Sequence, residues 1–98
     1  MVEVRWTDQA LQDIDAIAEF ISRDSERFAQ IQVQRFFDTE PMIQNQPLAG
    51  RMVPEVNSEL IREIIQGNYR IIYRIISPHR IDVITVHHSS RLLSIENL

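Results

Sequence analysis

Residues 61–88, with the sequence IREIIQGNYRIIYRIISPHRIDVITVHH, decide the fold of this chain. β-Branched and aromatic side chains are concentrated in three runs, which are Ile61–Gln66, Tyr69–Ile76 and Arg80–His87, and such runs are typical of strands. The segments between them, Gly67-Asn68 and Ser77-Pro78-His79, contain the residue types that form tight turns. The stretch therefore predicts three consecutive antiparallel strands.

The residues upstream of this stretch predict one more strand and a helical hairpin. Val2–Trp6 alternates apolar and charged side chains, and Thr7 is suited to cap a helix that begins directly after it. Apolar residues then recur at helical spacing in two segments, and Asp24 or Ser25 can cap the second helix. The first helix carries Leu11, Ile14, Ile17, Ala18 and Ile21, and the second carries Ala29, Val33, Phe36 and Phe37. The predicted fold class is α+β, with the N-terminal strand and the helical hairpin packed on a mainly antiparallel β-sheet.

A proline and a long connection lie between the second helix and the sheet. Pro41 removes a helical hydrogen-bond donor and disfavours helix at Glu40, so we expect the second helix to end or kink there. Asn45–Leu60 has no clear periodicity and contains two further prolines. Connections of this length in small domains are often functional or mobile.

The composition bounds the class of protein. With 98 residues, of which 44% are hydrophobic and 24% charged, we expect one domain spanning residues 1–98. The absence of an apolar run of about 18 residues, and of a basic-then-apolar leader, predicts a soluble cytoplasmic protein without membrane contact. Because there is no cysteine, disulfides and thiolate metal sites are excluded.

The basic residues are all arginine and are unevenly distributed. The chain has ten arginines and no lysine, which excludes a mechanism that depends on a lysine with a lowered pKa. Residues 1–49 hold four arginines and nine acids, whereas residues 50–98 hold six arginines, five acids and all three histidines. If a polyanion is contacted at all, we expect the second half to contact it.

The strand pattern leaves two registers open for the hairpin at Gly67-Asn68. With a two-residue loop, Arg62 lies opposite Tyr73, and Glu63 lies diagonally between Arg70 and Arg74 on the other face, where it can hold either guanidinium. With a one-residue bulge at Gly67, Arg62 instead shares the face of Arg70 and Arg74. The sequence does not choose between them.

The adjacent histidines do not predict a metal site. Neighbouring strand residues point to opposite faces of a sheet, so His87 and His88 cannot bind one ion together. Either imidazole can titrate near neutral pH and transfer a proton as a single group. We expect no metal and no cofactor.

The order of elements and four sequence segments resemble the RelE/ParE family, the toxins of bacterial type II toxin-antitoxin modules. The segments are Gly50–Glu55, Ile61–Ile65, Gly67–Tyr73 and Val86–Arg91. The resemblance implies a toxin neutralised by a cognate antitoxin in a toxin-antitoxin hetero-oligomer. It also implies one of two targets, DNA gyrase or messenger RNA on the ribosome.

The two branches of the family imply different roles for the same residues. In the RNase branch, Arg70 would bind phosphate with help from Arg91, and His87 or His88 would act as base or acid. That branch generally uses lysines and often a C-terminal tyrosine, whereas this chain has no lysine and no tyrosine after Tyr73.

The acidic chain therefore favours a ParE-like toxin that inhibits growth by binding a protein such as DNA gyrase, without an active site. The alternatives are a ribosome-dependent mRNA endonuclease of the RelE type and a non-toxic family member that acts as an interaction partner. The predicted target-binding residues are Arg51, Arg62, Arg70, Arg74, His87 and Arg91.

Overall fold

The computed structural model describes residues 2–91 and contains five strands and three helices within them. In chain order these are β1 (Glu3–Trp6), α1 (Asp8–Ser22), α2 (Glu26–Phe37), α3 (Glu40–Asn45), β2 (Arg51–Met52), β3 (Ile61–Gln66), β4 (Tyr69–Ser77) and β5 (Arg80–His88). The strands form one sheet in the order β1-β5-β4-β3-β2. All neighbouring strands are antiparallel except β1, which pairs parallel to β5. The predicted α+β fold class is confirmed.

The hairpin between β3 and β4 adopts the two-residue register. Gly67 has a φ of +60°, which a tight turn requires and which glycine adopts without steric cost. Gln66 pairs with Tyr69 and Arg62 with Tyr73. Arg62 therefore lies on the opposite face of the sheet from Arg70.

The helices cover one face of the sheet, which we call the inner face. Thr7 caps α1 by accepting the Ala10 amide at 3.2 Å, and Ser25 rather than Asp24 caps α2 by accepting the Phe28 amide. The core between helices and sheet contains Ala10, Ile14, Phe36, Ile43, Ile64, Ile71, Tyr73, Ile81, Val83 and Val86. Leu11 belongs to the apolar residues that recur at helical spacing in α1, but it is 39% exposed. Ala10 and Ile14, which are 0% and 2% exposed, are the α1 residues buried in the core.

Two short elements in the middle of the chain differ from the sequence expectation. The second helix ends at Phe37, before Pro41 as expected. Pro41 itself lies in the first turn of an additional helix, α3, where backbone N–H groups make no hydrogen bond within the helix, so the missing N–H of proline costs nothing. The connection after α3 contains β2, whose residues Arg51 and Met52 pair with β3.

The opposite face of the sheet, here called the outer face, is partly covered by residues 53–57, which we call the strap. Val53 is fully buried and packs with Ile61 and Ile72, and Val56 packs against the same cluster. Asn57 adopts a φ of +54°, a left-handed conformation that asparagine tolerates better than most residues. No helix between residues 2 and 91 is both long enough and apolar enough to cross a membrane.

Candidate functional site

A buried arginine occupies the centre of the outer face. Arg70 is only 5% exposed, although it carries a charge and is the second residue of β4, the central strand of the sheet. A guanidinium has five N–H donors, and all five are used. Nε and one Nη2 proton donate to Glu63, the two Nη atoms donate to the two carboxylate oxygens of Glu55, and Nη1 also donates to the carbonyl oxygen of Arg91. We call Arg70, Glu63 and Glu55 the clasp.

The clasp joins three separate parts of the chain. Glu63 comes from β3, Glu55 from the strap, and the Arg91 carbonyl from the segment that follows β5. Glu63 is itself 1% exposed, and its second oxygen accepts the Arg51 Nε at 2.6 Å. Arg51 is different from Arg70 because 62% of its side chain is exposed to solvent.

The carboxylates hold Arg70 in its charged form. Its pKa is raised above the ordinary arginine value, most of all by the hydrogen bond with Glu55, with Glu63 adding to the effect and burial opposing it. A buried charge is tolerated only when it is paired and hydrogen-bonded in this way. Arg70 therefore has no free donor for a phosphate or a partner carboxylate.

A second polar cluster lies beside the clasp, between α1 and β5. The carboxylate of Asp13 accepts hydrogen bonds from the Thr85 hydroxyl and from the Val86 amide. The Val86 amide lies on the edge of β5 beyond the end of β1, where no strand formed by residues 2–91 pairs with it. Asp13 thus satisfies a strand edge that would otherwise be open.

The same cluster fixes the proton position on His87. The single hydroxyl proton of Thr85 is donated to Asp13, so the bond of 3.0 Å between Thr85 Oγ1 and His87 Nε2 requires that Nε2 carries the proton. His87 Nδ1 is then the unprotonated nitrogen. Burial lowers the pKa of His87, Asp13 opposes this effect, and the positive charges of Arg91 and Arg70 add to it. His87 is therefore a neutral imidazole at pH 7.

An open cavity of about 410 Å³ adjoins His87. Its lining includes Asp13, Tyr69, His88, Ser90 and Arg91. His88 Nδ1 accepts the Ser90 amide at 3.2 Å and lies 2.7 Å from the Ser90 hydroxyl, while its ring meets the Tyr69 ring edge-on. His87 and His88 consequently have separate environments, as their positions on one strand predict.

The structure brings together only part of the predicted site. Four of the predicted residues lie together. Arg70 is part of the clasp, and Arg51, His87 and Arg91 lie around it. Arg62 lies on the inner face, where its guanidinium donates to the carbonyl oxygens of Leu48, Gly50 and Glu59 and so holds the connection before β3. Arg74 is exposed on the outer face but lies four residues along β4 from Arg70, a distance of about 13 Å.

Three residues of the site did not emerge as site residues from the sequence. Glu55 lies in the strap, and its contact with Arg70 depends on the path of an irregular segment. Asp13 and Thr85 meet only when α1 is placed against β5. The sequence could have indicated Asp13. It directly precedes the buried Ile14, so on the helix it lies next to the apolar stripe rather than on the face that points to solvent.

Comparison with known proteins places the chain in a family. The sequence model for the ParE toxin of the type II toxin-antitoxin system parDE matches residues 4–93. A chain of the chromosomal ParDE system from P. aeruginosa is similar in structure, with a TM-score of 0.73 at 19% identity, covering 90% of this chain and 96% of that one. A chain of the toxin-antitoxin complex RelBE2 from Mycobacterium tuberculosis has a TM-score of 0.59 at 22% identity, covering 89% and 96%. No sequence among the curated proteins matches. These structures share the fold, and because the family match spans most of its length, the chain belongs to the ParE toxins of type II toxin-antitoxin systems.

Proposed function

We propose that this toxin arrests growth in the cytoplasm by binding a protein target, DNA gyrase, and that a separately encoded antitoxin neutralises it. The two solved relatives are components of toxin-antitoxin systems, which supports a cognate antitoxin as partner. Membership of the ParE toxin family supports a target of the ParE type rather than messenger RNA.

The burial of Arg70 carries the proposal. An RNase that uses this arginine must bring a free guanidinium to the phosphate whose charge increases during the reaction. Here all five guanidinium N–H groups are bonded within the protein and the side chain is 6% exposed. This arrangement supports a structural role for Arg70, in which it joins β3, β4 and the strap, rather than a catalytic role.

The proposed target-binding surface is formed by the exposed groups around the clasp. Arg51 and Arg91 are both exposed, and they lie on either side of the buried Arg70. His87 lines the same cavity as Arg91 and Asp13 of α1. Exposed arginines can bind carboxylates with two parallel hydrogen bonds, which suits recognition of acidic side chains on a protein.

A supercoiling assay with purified gyrase tests the target. We expect the protein to inhibit supercoiling or to trap cleaved DNA at micromolar concentration, and Arg91→Glu to weaken inhibition by at least about tenfold through loss of one charged contact. Arg23→Glu, at the exposed end of α1, is the matched control and should inhibit like the unchanged protein. If the folded protein has no effect on gyrase at these concentrations, gyrase is not the target.

One observation favours an mRNA endonuclease as the second candidate. His87 is a neutral imidazole with Nδ1 unprotonated, and it lies beside a cavity that Arg91 also lines. This is the state required of a general base for a ribose hydroxyl. Primer extension after induction tests it, because new cleavage sites that disappear in His87→Ala and persist in His79→Ala would establish the endonuclease. Absence of growth arrest together with absence of cleavage would instead support a non-toxic interaction partner.

A further inference from the structure

Part of the outer face is covered neither by helices nor by the strap. Register places Arg5 of β1 beside Asp82 of β5, and Asp82 beside Arg74 of β4, so these three residues form one row across the sheet. Strands lie about 4.8 Å apart, which puts the two arginine Cα atoms about 10 Å from each other. Both arginines are exposed.

The central carboxylate of the row is already occupied by another arginine. Asp82 accepts two hydrogen bonds from Arg80, at 2.9 Å from Nε and 3.0 Å from Nη2. The side chains of Arg5 and Arg74 make no hydrogen bond or ion pair with any other residue between 2 and 91. The row therefore presents two unpaired guanidinium groups on an open sheet face.

The surroundings of the row limit the size of an anionic ligand. Asp8 lines a depression of about 180 Å³ that Arg5, Arg80 and Asp82 also line. Glu3 of β1 is the register neighbour of Arg80 of β5. A second carboxylate therefore lies on the side of the row opposite Asp8. A continuous polyanion such as nucleic acid would place phosphates against Asp8 or Glu3, whereas one or two carboxylates would contact the arginines alone.

We propose that Arg5 and Arg74 form a docking site for a short acidic segment of a protein partner. In an extended segment, two acidic side chains separated by one residue point to the same side about 7 Å apart. Long arginine side chains can close the remaining gap, and each carboxylate can accept two parallel hydrogen bonds from one guanidinium. This site is separate from the surface around the clasp, and it does not depend on gyrase being the target.

Titration of the isotope-labelled protein with a short peptide containing Glu-Gly-Glu tests the site by NMR. We expect saturable amide shifts in β1 and β4 near Arg5 and Arg74, and no such shifts with a matched Gln-Gly-Gln peptide. The double variant Arg5→Gln, Arg74→Gln should bind about tenfold more weakly, the sum of two exposed charge pairs. Arg23→Gln, which changes an arginine far from the row, should bind like the unchanged protein.

Three results would overturn the proposal. These are the absence of shifts in the row at millimolar peptide, equal binding by the double variant, and tighter binding of a ten-nucleotide single-stranded DNA to the same row. Amide spectra of each variant show whether it is folded. The single variant Arg5→Gln, which leaves every predicted target-binding residue unchanged, should still inhibit gyrase, so failure of the docking site and failure of the gyrase proposal are separate outcomes.

Discussion

At the scale of single residues, Arg70 shows how a buried charge organises this surface. We expect Arg70→Met to lower the free energy of unfolding by about 3 kcal/mol, because the change leaves Glu63 buried with only Arg51 as its partner. Urea denaturation followed by circular dichroism measures the loss. The matched control is Arg74→Met, an exposed residue on the same strand and face, which should change stability by less than about 0.5 kcal/mol. Equal effects of the two substitutions would contradict the role assigned to the clasp.

The lowered pKa of His87 predicts a pH dependence of stability. In the unfolded chain His87 takes up a proton near its ordinary pKa of 6.5, whereas in the folded protein its lowered pKa delays protonation. The unfolded state therefore binds more protons as the pH falls below that value, and this part of the stability is present above pH 6.5 and lost on acidification.

Urea denaturation at pH 7.5 and at pH 5.5 measures this effect. The unchanged protein should lose more stability between the two pH values than His87→Gln does. His79→Gln, which changes an exposed histidine in the turn before β5, should keep the larger loss. A pH dependence that is the same with and without His87 would refute the prediction.

The pairing of residues on neighbouring strands could be predicted from the sequence up to a choice between two registers, whereas contacts between distant elements could not be predicted. A two-residue turn at Gly67-Asn68 places Glu63 diagonally from Arg70, so this half of the clasp follows from strand geometry. The nearby sequence determines neither which of the two turns forms at Gly67-Asn68 nor that Glu55 contacts Arg70. Asp13 reaches Thr85 across 72 residues of sequence, and only the packed position of α1 brings them together.

At the scale of elements, the structure requires glycine at positions 50 and 67 for different reasons. A Cβ atom on Gly50 would lie 2.5 Å from the Tyr73 hydroxyl oxygen and 2.7 Å from the Glu63 carbonyl oxygen, whereas a Cβ atom on Gly67 would meet nothing within 4 Å. Gly50 also donates its amide to Tyr73 at 3.1 Å, which ties the connection before β2 to β4.

These contacts predict different costs for alanine at the two positions. Gly50→Ala should lower the free energy of unfolding by about 2–3 kcal/mol through overpacking and the loss of the Tyr73 hydrogen bond. Gly67→Ala should cost about 1 kcal/mol, the strain of a left-handed alanine. Thermal and urea unfolding of the two variants measure which substitution lowers the free energy of unfolding more. A larger loss at Gly67 would show that the close approach at Gly50 is relieved by movement.

The elements that the sequence predicts well are those with a local signal. The three central strands and both long helices have periodic apolar residues and recognisable caps or turns, as Thr7 and Ser25 illustrate. The strap, β2 and α3 lack such a signal. Val53 is buried because Ile61 and Ile72 need cover on the outer face, and this requirement arises only after the sheet has formed.

At the scale of the whole molecule, the distribution of charge argues for a protein partner. The chain has a net charge of −4, and residues 1–49, which contain β1 and the three helices found within residues 2–91, hold nine acids against four arginines. Of the arginines in the other half, Arg70 is neutralised by carboxylates and Arg62 binds carbonyl oxygens. Arg51 and Arg80 are also paired with carboxylates, so among residues 50–91 few unpaired cations remain for a polyanion.

This charge distribution predicts that the protein does not bind nucleic acid. Non-specific binding to duplex DNA comes almost wholly from cations that neutralise phosphates, and at physiological salt it typically gives a Kd of about 1–100 µM for proteins that use it. We expect this protein to bind a labelled 24-base-pair duplex or a single-stranded RNA more weakly than about 100 µM, measured by fluorescence anisotropy. The variant Asp15→Arg, Glu19→Arg, which adds cations to the exposed side of α1, is the comparison that should gain affinity as salt is lowered. Micromolar binding by the unchanged protein, falling steeply as salt is raised, would contradict the prediction and favour the endonuclease over a toxin that binds a protein target.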